Sequence, residues 1–317
     1  MNRKILAAVL LLCVAAAVMY AVSAKEKSVR VDTGGKVSVV ATLFPQYDFA
    51  REIAGAHADV SLLLPPGTEG HTYEPTPSDI VKIDGADIFL YTGKFMEPWA
   101  ERLLSSEGKG KSAAVDVSSG IELSSIDDDH DHDGHGQEGH SHPFDPHIWT
   151  DPLNAAVMAD NILAALCSAD PTHKEYYEKN AAELKKKLFA LDADFKSIVS
   201  DGARREIIFG GSNAFHYFAK RYGIKIRAAH DTCSAEADPS AKRVSELISA
   251  IRTEHIPVIF YEELTMPKVA RLMSKESGAA VRPFHSCHNV SRSGIESGAT
   301  YISLMKENAE SLKEALK

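Results

Sequence analysis

Residues 152–200 interrupt an otherwise regular alternation of strand-like and helix-like segments, and this interruption strongly limits the folds available to the chain. The stretch contains helix formers and no strand signal, and Pro171 stands where a helix is expected to begin. At about 1.5 Å per residue, a helix over 171–200 would be roughly 45 Å long, about the height of a domain. We therefore predict an α/β fold in which two lobes with parallel sheets are joined by a long rigid helix.

The alternation on either side of the interruption predicts the elements of each lobe. Short β-branched apolar runs predict strands at 37–44, 60–64, 88–91, 113–117, 206–209, 224–229, 257–261 and 279–284. Helical spacing predicts helices at 46–56, 95–104, 213–221, 241–252, 266–277 and 297–316. The predicted domains are an N-terminal lobe at 36–152, a linking helical segment at 153–203 and a C-terminal lobe at 204–317. Because ligands of open α/β sheets bind beyond the carboxyl ends of the strands, the cleft between the lobes is the predicted site.

The first 24 residues have the pattern of a secretory signal: a basic start, an uncharged apolar run and the small-residue ending Val22-Ser23-Ala24. The apolar run is about as long as a bilayer span, so an uncleaved N-terminal anchor is the alternative. Leu12 is larger than the residue usual before a lipidated cysteine, which argues against a lipid anchor at Cys13. We expect the folded part to be extracytoplasmic, in the periplasm or on the outer face of the cell membrane.

The net charge argues against one class of function, and the cysteine content predicts a disulfide. The formal net charge of −9 argues against nucleic-acid binding, which needs basic patches. Removal of the signal leaves three cysteines in an oxidising compartment, so at least one stays free or pairs between chains. Cys167 lies in an apolar run where a buried thiol is expected, which leaves Cys233 and Cys287 as the candidate disulfide.

Residues 127–142, here called the histidine tract, have an unusual composition of five histidines, six acids and no lysine or arginine. Imidazole and carboxylate groups at this density are typical of metal binding, whereas the glycines and the lack of apolar residues predict a mobile loop. A solvated acidic loop without a metal role is the alternative. We predict a low-affinity metal collector formed by His130, His132, His135, His140 and His142.

An ordered metal site is predicted from single histidines at or beyond strand ends. His71 follows a glycine- and proline-rich loop after the second strand, His147 lies in an Asp-Pro-His segment, and His285 ends the last strand. For each one alone, a structural histidine is the alternative. Together, neutral imidazoles from both lobes would suit Zn²⁺, with Asp145 and Asp151 as carboxylates that could orient the rings.

Several motifs in order resemble the zinc and manganese solute-binding proteins of ABC uptake systems. They are Gly-Thr-Glu-Gly-His-Thr-Tyr-Glu-Pro-Thr-Pro-Ser-Asp at 67–79, Thr-Gly-Lys-Phe-Met-Glu-Pro-Trp at 92–99, Asp-Pro-His-Ile-Trp-Thr-Asp-Pro at 145–152 and Glu-Ala-Asp-Pro-Ser-Ala at 236–241. The resemblance covers nearly the whole chain after the signal, and the histidine tract is similar to that of the zinc-specific branch. It implies two lobes linked by one long helix, a metal buried between them, little lobe movement on binding, and delivery of the metal to a membrane permease.

The resemblance also implies metal ligands, and here the sequence departs from the family pattern. His71 and His147 match the first two family ligands, whereas the third position, usually histidine, is Ser212. His216 lies one helical turn further on and is the substitute candidate, with packing beside its neighbours as the alternative. His285 occupies roughly the place of the fourth family ligand, usually an aspartate. The predicted ligands are thus His71, His147, His285 and His216, or water in the last position, a donor set that favours zinc over manganese.

Two further groups of residues remain open at this point. His230 and His288 are reserve ligands. Cys233 and Cys287 follow strands of the C-terminal lobe, so they could form a disulfide or donate thiolates. The oxidising compartment favours the disulfide, and family members with a disulfide in this lobe point the same way.

The predicted function is capture of zinc, or less favourably manganese, and its delivery to an ABC permease by a monomeric solute-binding protein. The sequence has no His-Glu-x-x-His helix, no Gly-x-Ser-x-Gly elbow and no phosphate-binding glycine loop, so we do not predict an enzyme; a zinc hydrolase is the weaker alternative. An extracellular metal buffer or a metal-dependent adhesin is the closer alternative, because either could share the fold.

Overall fold

Two four-stranded parallel sheets form the centres of two lobes. They belong to one unit, residues 36–317, of a computed structural model that describes residues 35–105, 112–125, 144–230, 239–264 and 266–317. The predicted signal at 1–24 and the histidine tract lie outside the described residues. The parallel two-lobe architecture predicted from the sequence is confirmed.

The N-terminal sheet has the strand order β2-β1-β3-β4. Its strands are β1 (Val37–Ala41), β2 (Ala58–Leu62), β3 (Ile88–Tyr91) and β4 (Ala113–Asp116), and its helices are α1 (Phe44–Ala54), α2 (Pro77–Gly85) and α3 (Pro98–Ser105). Val39 of the central β1 pairs with Val60 on one side and Ile88 on the other. Because all four strands are parallel, the loops after them meet at one edge of the sheet.

The C-terminal sheet repeats this arrangement with the order β6-β5-β7-β8. Its strands are β5 (Glu206–Phe209), β6 (Lys225–Ala228), β7 (Val258–Tyr261) and β8 (Ala280–Pro283). The helices are α6 (His216–Tyr222), α7 (Ala241–Glu254), α8 (Lys268–Ser277), α9 (Arg292–Glu296) and α10 (Tyr301–Ala315).

Two helices connect the lobes, α4 (Pro152–Ala169) and α5 (Lys174–Asp201). The long helix is therefore present, but it begins three residues later than the predicted start at Pro171, after a 3₁₀ turn over Pro171–His173. Asp170 shapes this turn, because its carboxylate accepts the Thr172 N–H at 3.1 Å and contacts the His173 ring at 2.5 Å.

One large hydrophobic cluster runs through both lobes, and a smaller one lies within each lobe. Buried side chains of β1, α4, α5, β5 and α10 belong to one cluster, represented by Val39, Ile162, Leu188, Phe209 and Leu312. By length and composition α4 could cross a membrane, but its buried residues pack into this cluster as those of a core helix do. Wide separation of the lobes would expose the shared core, so we expect only small lobe movements on ligand binding.

The ends of the predicted elements differ from the observed ones for local reasons. The apolar run predicts a strand to Phe44, but β1 ends at Ala41 and α1 already begins at Phe44. The Gln46 side-chain oxygen accepts the N–H groups of Thr42 and Leu43 at 3.0 and 3.2 Å, which turns the chain into the helix.

Helix α2 is absent from the sequence predictions although a start signal is present. Thr76 and Asp79 form a capping box in which each side chain accepts the backbone N–H of the other residue, at 3.3 and 3.0 Å, and Pro77 follows the cap. Its short length and few buried residues, Asp79 and Ile83, leave little periodicity to detect.

Candidate metal centre

His71 and His147 face each other across the carboxyl edge of the N-terminal sheet. Their Nε2 atoms are 3.0 Å apart, and the rings lie 4.9 Å apart at 60°. Two nitrogens bound to one tetrahedral zinc at 2.0–2.1 Å are about 3.3 Å apart, so this pair needs little adjustment to share a zinc ion. The structure thus brings together the first two predicted ligands.

His147 is held by the loop that precedes it. Its Nδ1 lies 2.7 Å from Asp145 Oδ1, which also accepts the His147 backbone N–H at 2.8 Å, and the side chain is 1% exposed. An ionised carboxylate accepts the Nδ1 proton, so the Nε2 lone pair faces His71. Asp145 therefore makes the contact with the His147 ring that the predicted orienting role requires. Asp151 instead accepts the Leu153 N–H and begins α4.

His288 lies beside the loop that carries His71, and its tautomer is also set by a carboxylate. Glu263 accepts the Ser286 and Cys287 N–H groups at 2.7 and 2.9 Å and the Ser286 hydroxyl at 2.8 Å. Because the Ser286 hydroxyl proton is directed to Glu263, its oxygen accepts the proton of His288 Nδ1, 2.6 Å away. The lone pair of His288 is therefore on Nε2.

The Nε2 atom of His288 lies beside Glu69, in the loop that carries His71. It is buried, makes no hydrogen bond within the described structure, and lies 3.7 Å from Glu69 Oε2. The other Glu69 oxygen accepts the His71 N–H at 3.1 Å. Gly70, between these two residues, is also close to His288, because a Cβ atom at this glycine would lie 3.7 Å from the His288 ring. A buried lone pair without a donor is the arrangement expected of a metal ligand before the metal binds.

The His71 loop is fixed to the segment that carries His288. The Asn289 side-chain amide donates to the carbonyls of Pro65 and Thr68, both at 2.8 Å, and the Gly67 N–H donates to the Val290 carbonyl at 2.9 Å. The two lobes are thus joined by hydrogen bonds next to the candidate ligands.

Trp149 joins the loop that carries His147 to the loop that carries His288. Its indole N–H donates to the Ser286 carbonyl at 2.6 Å, and its own carbonyl accepts the Tyr301 hydroxyl at 2.5 Å. The Tyr301 N–H at the start of α10 donates to Asp48 at 2.7 Å. Burial raises the pKa of Asp48 to about 6, although the Tyr301 bond opposes that shift.

Carboxylates give this region a field that favours cations. Glu262 and Glu263 follow β7 and are both buried. Burial, together with the charges of Glu263 and Glu69, raises the pKa of Glu262 well above its usual range. A divalent cation placed among these groups would be stabilised by the same charges that make the Glu262 anion unfavourable.

Within the described residues, neither of the other two predicted ligands, His285 and His216, forms a three-residue metal group with the His71 and His147 pair. His285 contacts the C-terminal helix: its Nε2 is 3.5 Å from Glu307, and its N–H and carbonyl bond to Asn308 at 2.7 and 2.8 Å. His216 begins α6 with its ring edge-on to Tyr217 at 6.1 Å. Of the candidate set, the structure pairs only His71 with His147 among the residues it describes.

No group of three His, Cys, Asp or Glu side chains already converges for metal binding within the described parts of the chain. The His71 and His147 pair is therefore the preformed portion of the centre.

The cysteines can be compared with the predictions only in part. Cys287 is buried, and Cys167 is partly exposed, contrary to the burial expected for it; the two form no disulfide with each other. Cys233 lies outside the described residues, so its pairing with Cys287 stays a prediction.

Sequence comparison gives one matching family and close relatives. The sequence model of "ZnuA: Zinc-uptake complex component A periplasmic" matches residues 39–315. The chain is 35% identical over 284 residues to the "High-affinity zinc uptake system protein ZnuA" of Bacillus subtilis, an alignment that covers 89% of this chain and 88% of that protein.

Solved structures share the fold over most of the chain. The Zn(II)-bound ZnuA-like domain of Streptococcus pneumoniae AdcA is similar with a TM-score of 0.74 and 32% identity, over 89% of this chain and 99% of that one. The laminin-binding protein Lmb of Streptococcus agalactiae, described as bifunctional with adhesin and metal transporting activity, gives a TM-score of 0.75 at 28% identity over 89% and 100%.

Proposed function

The chain belongs to the ZnuA family of zinc-uptake components, and on that premise we propose that it captures a zinc ion between its lobes and delivers it to an ABC permease. The observation that carries the proposal is the His71 and His147 pair, whose Nε2 atoms lie 3.0 Å apart with His147 oriented by Asp145. Imidazole nitrogens favour zinc over manganese, which prefers oxygen donors.

The proposed ligands are His71, His147 and His288, with Glu69 as the fourth donor. His288 replaces the predicted His285 because its Nε2 is buried beside Glu69, whereas His285 contacts Glu307. Glu69 is supported by its position, since its two oxygens face the His71 N–H and His288 Nε2. His216 stays the alternative to Glu69 in the fourth position.

The remaining elements of the proposal rest on the sequence. They are an extracytoplasmic location reached through the signal at 1–24, weak metal capture by the histidine tract, a monomeric state, and a disulfide between Cys233 and Cys287. The role is binding rather than catalysis, in keeping with relatives that are named as uptake and binding proteins.

Metal titration of the purified protein tests the site. We expect one tight zinc per chain that competes with a strong chelator, plus weaker sites that disappear when the histidine tract is deleted. Replacement of His71 and His147 by alanine should abolish the tight site and leave the weak ones. Loss of all zinc binding on deletion of the tract would contradict the two-site proposal.

Growth measurements test delivery. Deletion of the gene should slow growth in zinc-poor medium, and added zinc should restore it. Normal growth without the gene would favour the second candidate, an adhesin, which the likeness to Lmb suggests. Binding of the purified protein to immobilised laminin, with and without zinc, would measure that activity directly.

A further inference from the structure

Helix α6 contacts both ends of the loop that carries His147. Tyr217 and Arg221 are four residues apart and therefore share one face of this helix. Tyr217 reaches Asp145 at the start of the loop, and Arg221 reaches Asp151 at its end, with Nε 3.1 Å from the carboxylate. One short helix of the C-terminal lobe thus contacts both ends of the 145–151 loop of the other lobe.

The Tyr217 hydroxyl connects two chain segments that meet beside His147. It donates to the Asp145 carbonyl at 2.9 Å and accepts the Ser124 N–H at 3.0 Å. The Asp145 N–H in turn donates to the Ser124 carbonyl at 3.0 Å, so the three residues form a closed hydrogen-bonded ring. Tyr217, Ser124 and Asp145 are each at most 5% exposed, so water cannot readily replace these bonds.

Further contacts hold the hydrogen-bonded ring of Tyr217, Ser124 and Asp145 in place. Ser125 and Phe144 form an antiparallel bridge immediately beside it, and Lys220 of α6 donates to the Ser124 hydroxyl oxygen at 3.0 Å. Arg221 is itself fixed, because Asp192 of α5 lies 2.6 Å from its Nε. Burial opposes ionisation of Asp192, but its hydrogen bonds with Arg221 and Lys196 hold its pKa below the usual range. The contacts of α6 with the His147 loop are therefore anchored to the connecting helix α5.

Asp145 has two functions that depend on each other. Its carbonyl is bound by Tyr217, and its carboxylate holds Nδ1 of His147 at 2.7 Å. A rotation of the backbone at Asp145 would move its carbonyl and its carboxylate together. The position of the carboxylate therefore depends on the hydrogen bond between Tyr217 and the carbonyl. Carboxylates that orient a metal-bound histidine typically change metal affinity by 10- to 100-fold when they are lost.

We propose that Tyr217 is a positioning residue for the metal site, acting through Asp145 on the orientation of His147. Its hydroxyl holds the Asp145 carbonyl so that the carboxylate meets Nδ1 of His147 and leaves Nε2 free for the metal. The inference rests on the proposed function, since it concerns the affinity of the same site.

A double-mutant cycle tests the proposal in the full chain with zinc itself as the ligand. We expect Tyr217→Phe to weaken zinc binding about tenfold, mainly through faster dissociation. In an Asp145→Asn background, the same change should alter affinity by less than about twofold, because the group through which Tyr217 acts is already impaired. Tyr177→Phe is the matched control, since that hydroxyl is bonded to Asp170 at 2.8 Å at the far end of α4.

A spectroscopic measurement separates positioning from general destabilisation. The ¹⁵N shifts of the His147 ring should change in Tyr217→Phe and stay unchanged in Tyr177→Phe. If Tyr217→Phe does not fold, Arg221→Gln releases the other end of the same loop, and its effect should likewise shrink in the Asp145→Asn background.

The outcomes distinguish this inference from the function on which it rests. If the unaltered chain binds no zinc, the proposed function is wrong. If that chain binds zinc but Tyr217→Phe has the same effect in both backgrounds, or no effect at all, the positioning role is wrong and the function stands.

Discussion

His147 and His288 present the same atom to the candidate site but are oriented in different ways. In His147, Nδ1 meets the Asp145 carboxylate directly, two residues earlier in the same loop. In His288, Nδ1 meets the Ser286 hydroxyl, and the carboxylate that fixes this hydroxyl is Glu263 at the end of another strand. The orientation of the His147 ring thus depends on one contact within its own loop. The orientation of the His288 ring depends on two successive hydrogen bonds that join two loops.

This difference has a physical consequence for the two halves of the site. A hydrogen bond to a carboxylate is generally stronger than one to a neutral hydroxyl. We therefore expect His147 to be held more firmly than His288, although the two contacts are of similar length, 2.7 and 2.6 Å. The Nε2 atoms of His71 and His147 are already 3.0 Å apart, whereas His288 is not part of a three-residue metal group with them in the described structure. We expect the N-terminal lobe to supply the preformed ligands and the C-terminal lobe to complete the site.

The largest effect is expected from removing His288. We predict that His288→Ala weakens zinc binding by about 100-fold or more, because zinc binding free energies of roughly 10–16 kcal/mol divide among about four ligands. His285→Ala is the control, since His285 faces Glu307, and it should change the affinity by less than about twofold. Competition titration with a chelator measures both. The reverse ranking would restore the sequence prediction of His285.

A smaller effect is expected from the groups that orient the two histidines. Asp145→Asn should weaken zinc binding by about 10- to 100-fold, and Ser286→Ala by about tenfold or less, because Glu263 keeps its two backbone donors in the latter variant. Stopped-flow zinc dissociation compares the two rates. Equal effects would show that the direct and relayed arrangements hold their rings equally well.

The last prediction concerns Asp48, which contacts Tyr301 and is expected to change the stability of the fold and leave the zinc affinity nearly unchanged. Its pKa in the folded protein is about 6, above the ordinary value of 3.8, so the folded state binds the proton more tightly than the unfolded state. The stabilisation by protonated Asp48 is therefore present below about pH 4 and is lost as the pH rises to about 6, by roughly 1–3 kcal/mol.

Asp48→Asn keeps an acceptor for the Tyr301 N–H and removes this titration. Urea unfolding with a chelator present should show that the variant gains stability relative to the unaltered chain as the pH rises from 4.5 to 7. A constant difference across this range would mean that Asp48 does not titrate there.

Local patterns in the sequence were sufficient for the fold and for half of the site. The strand runs and the helical interruption predict both sheets, because the elements are set by periodicity within each segment. His147 is visible for the same reason: Asp145, Pro146 and His147 are adjacent, so the carboxylate and the ring it orients can be recognised together.

The part of the proposed site around His288 depends on contacts between residues that are distant in the sequence. Glu263 and His288 are joined through Ser286 only because β7 and β8 are neighbours in the sheet. His285 and His288 lie in the same segment after β8, and the sequence does not show which of them faces the site. The hydrogen bond from the Tyr217 hydroxyl to the Asp145 carbonyl is likewise absent from the sequence predictions, since it joins residues of both lobes.

The most direct test of the account is a crystal structure with zinc bound, using anomalous scattering at the zinc edge. We predict a single strong peak between the lobes within 2.0–2.1 Å of the Nε2 atoms of His71, His147 and His288. A peak bound by His71 and His147 without His288, or by His285 instead, would contradict the ligand set proposed from the geometry.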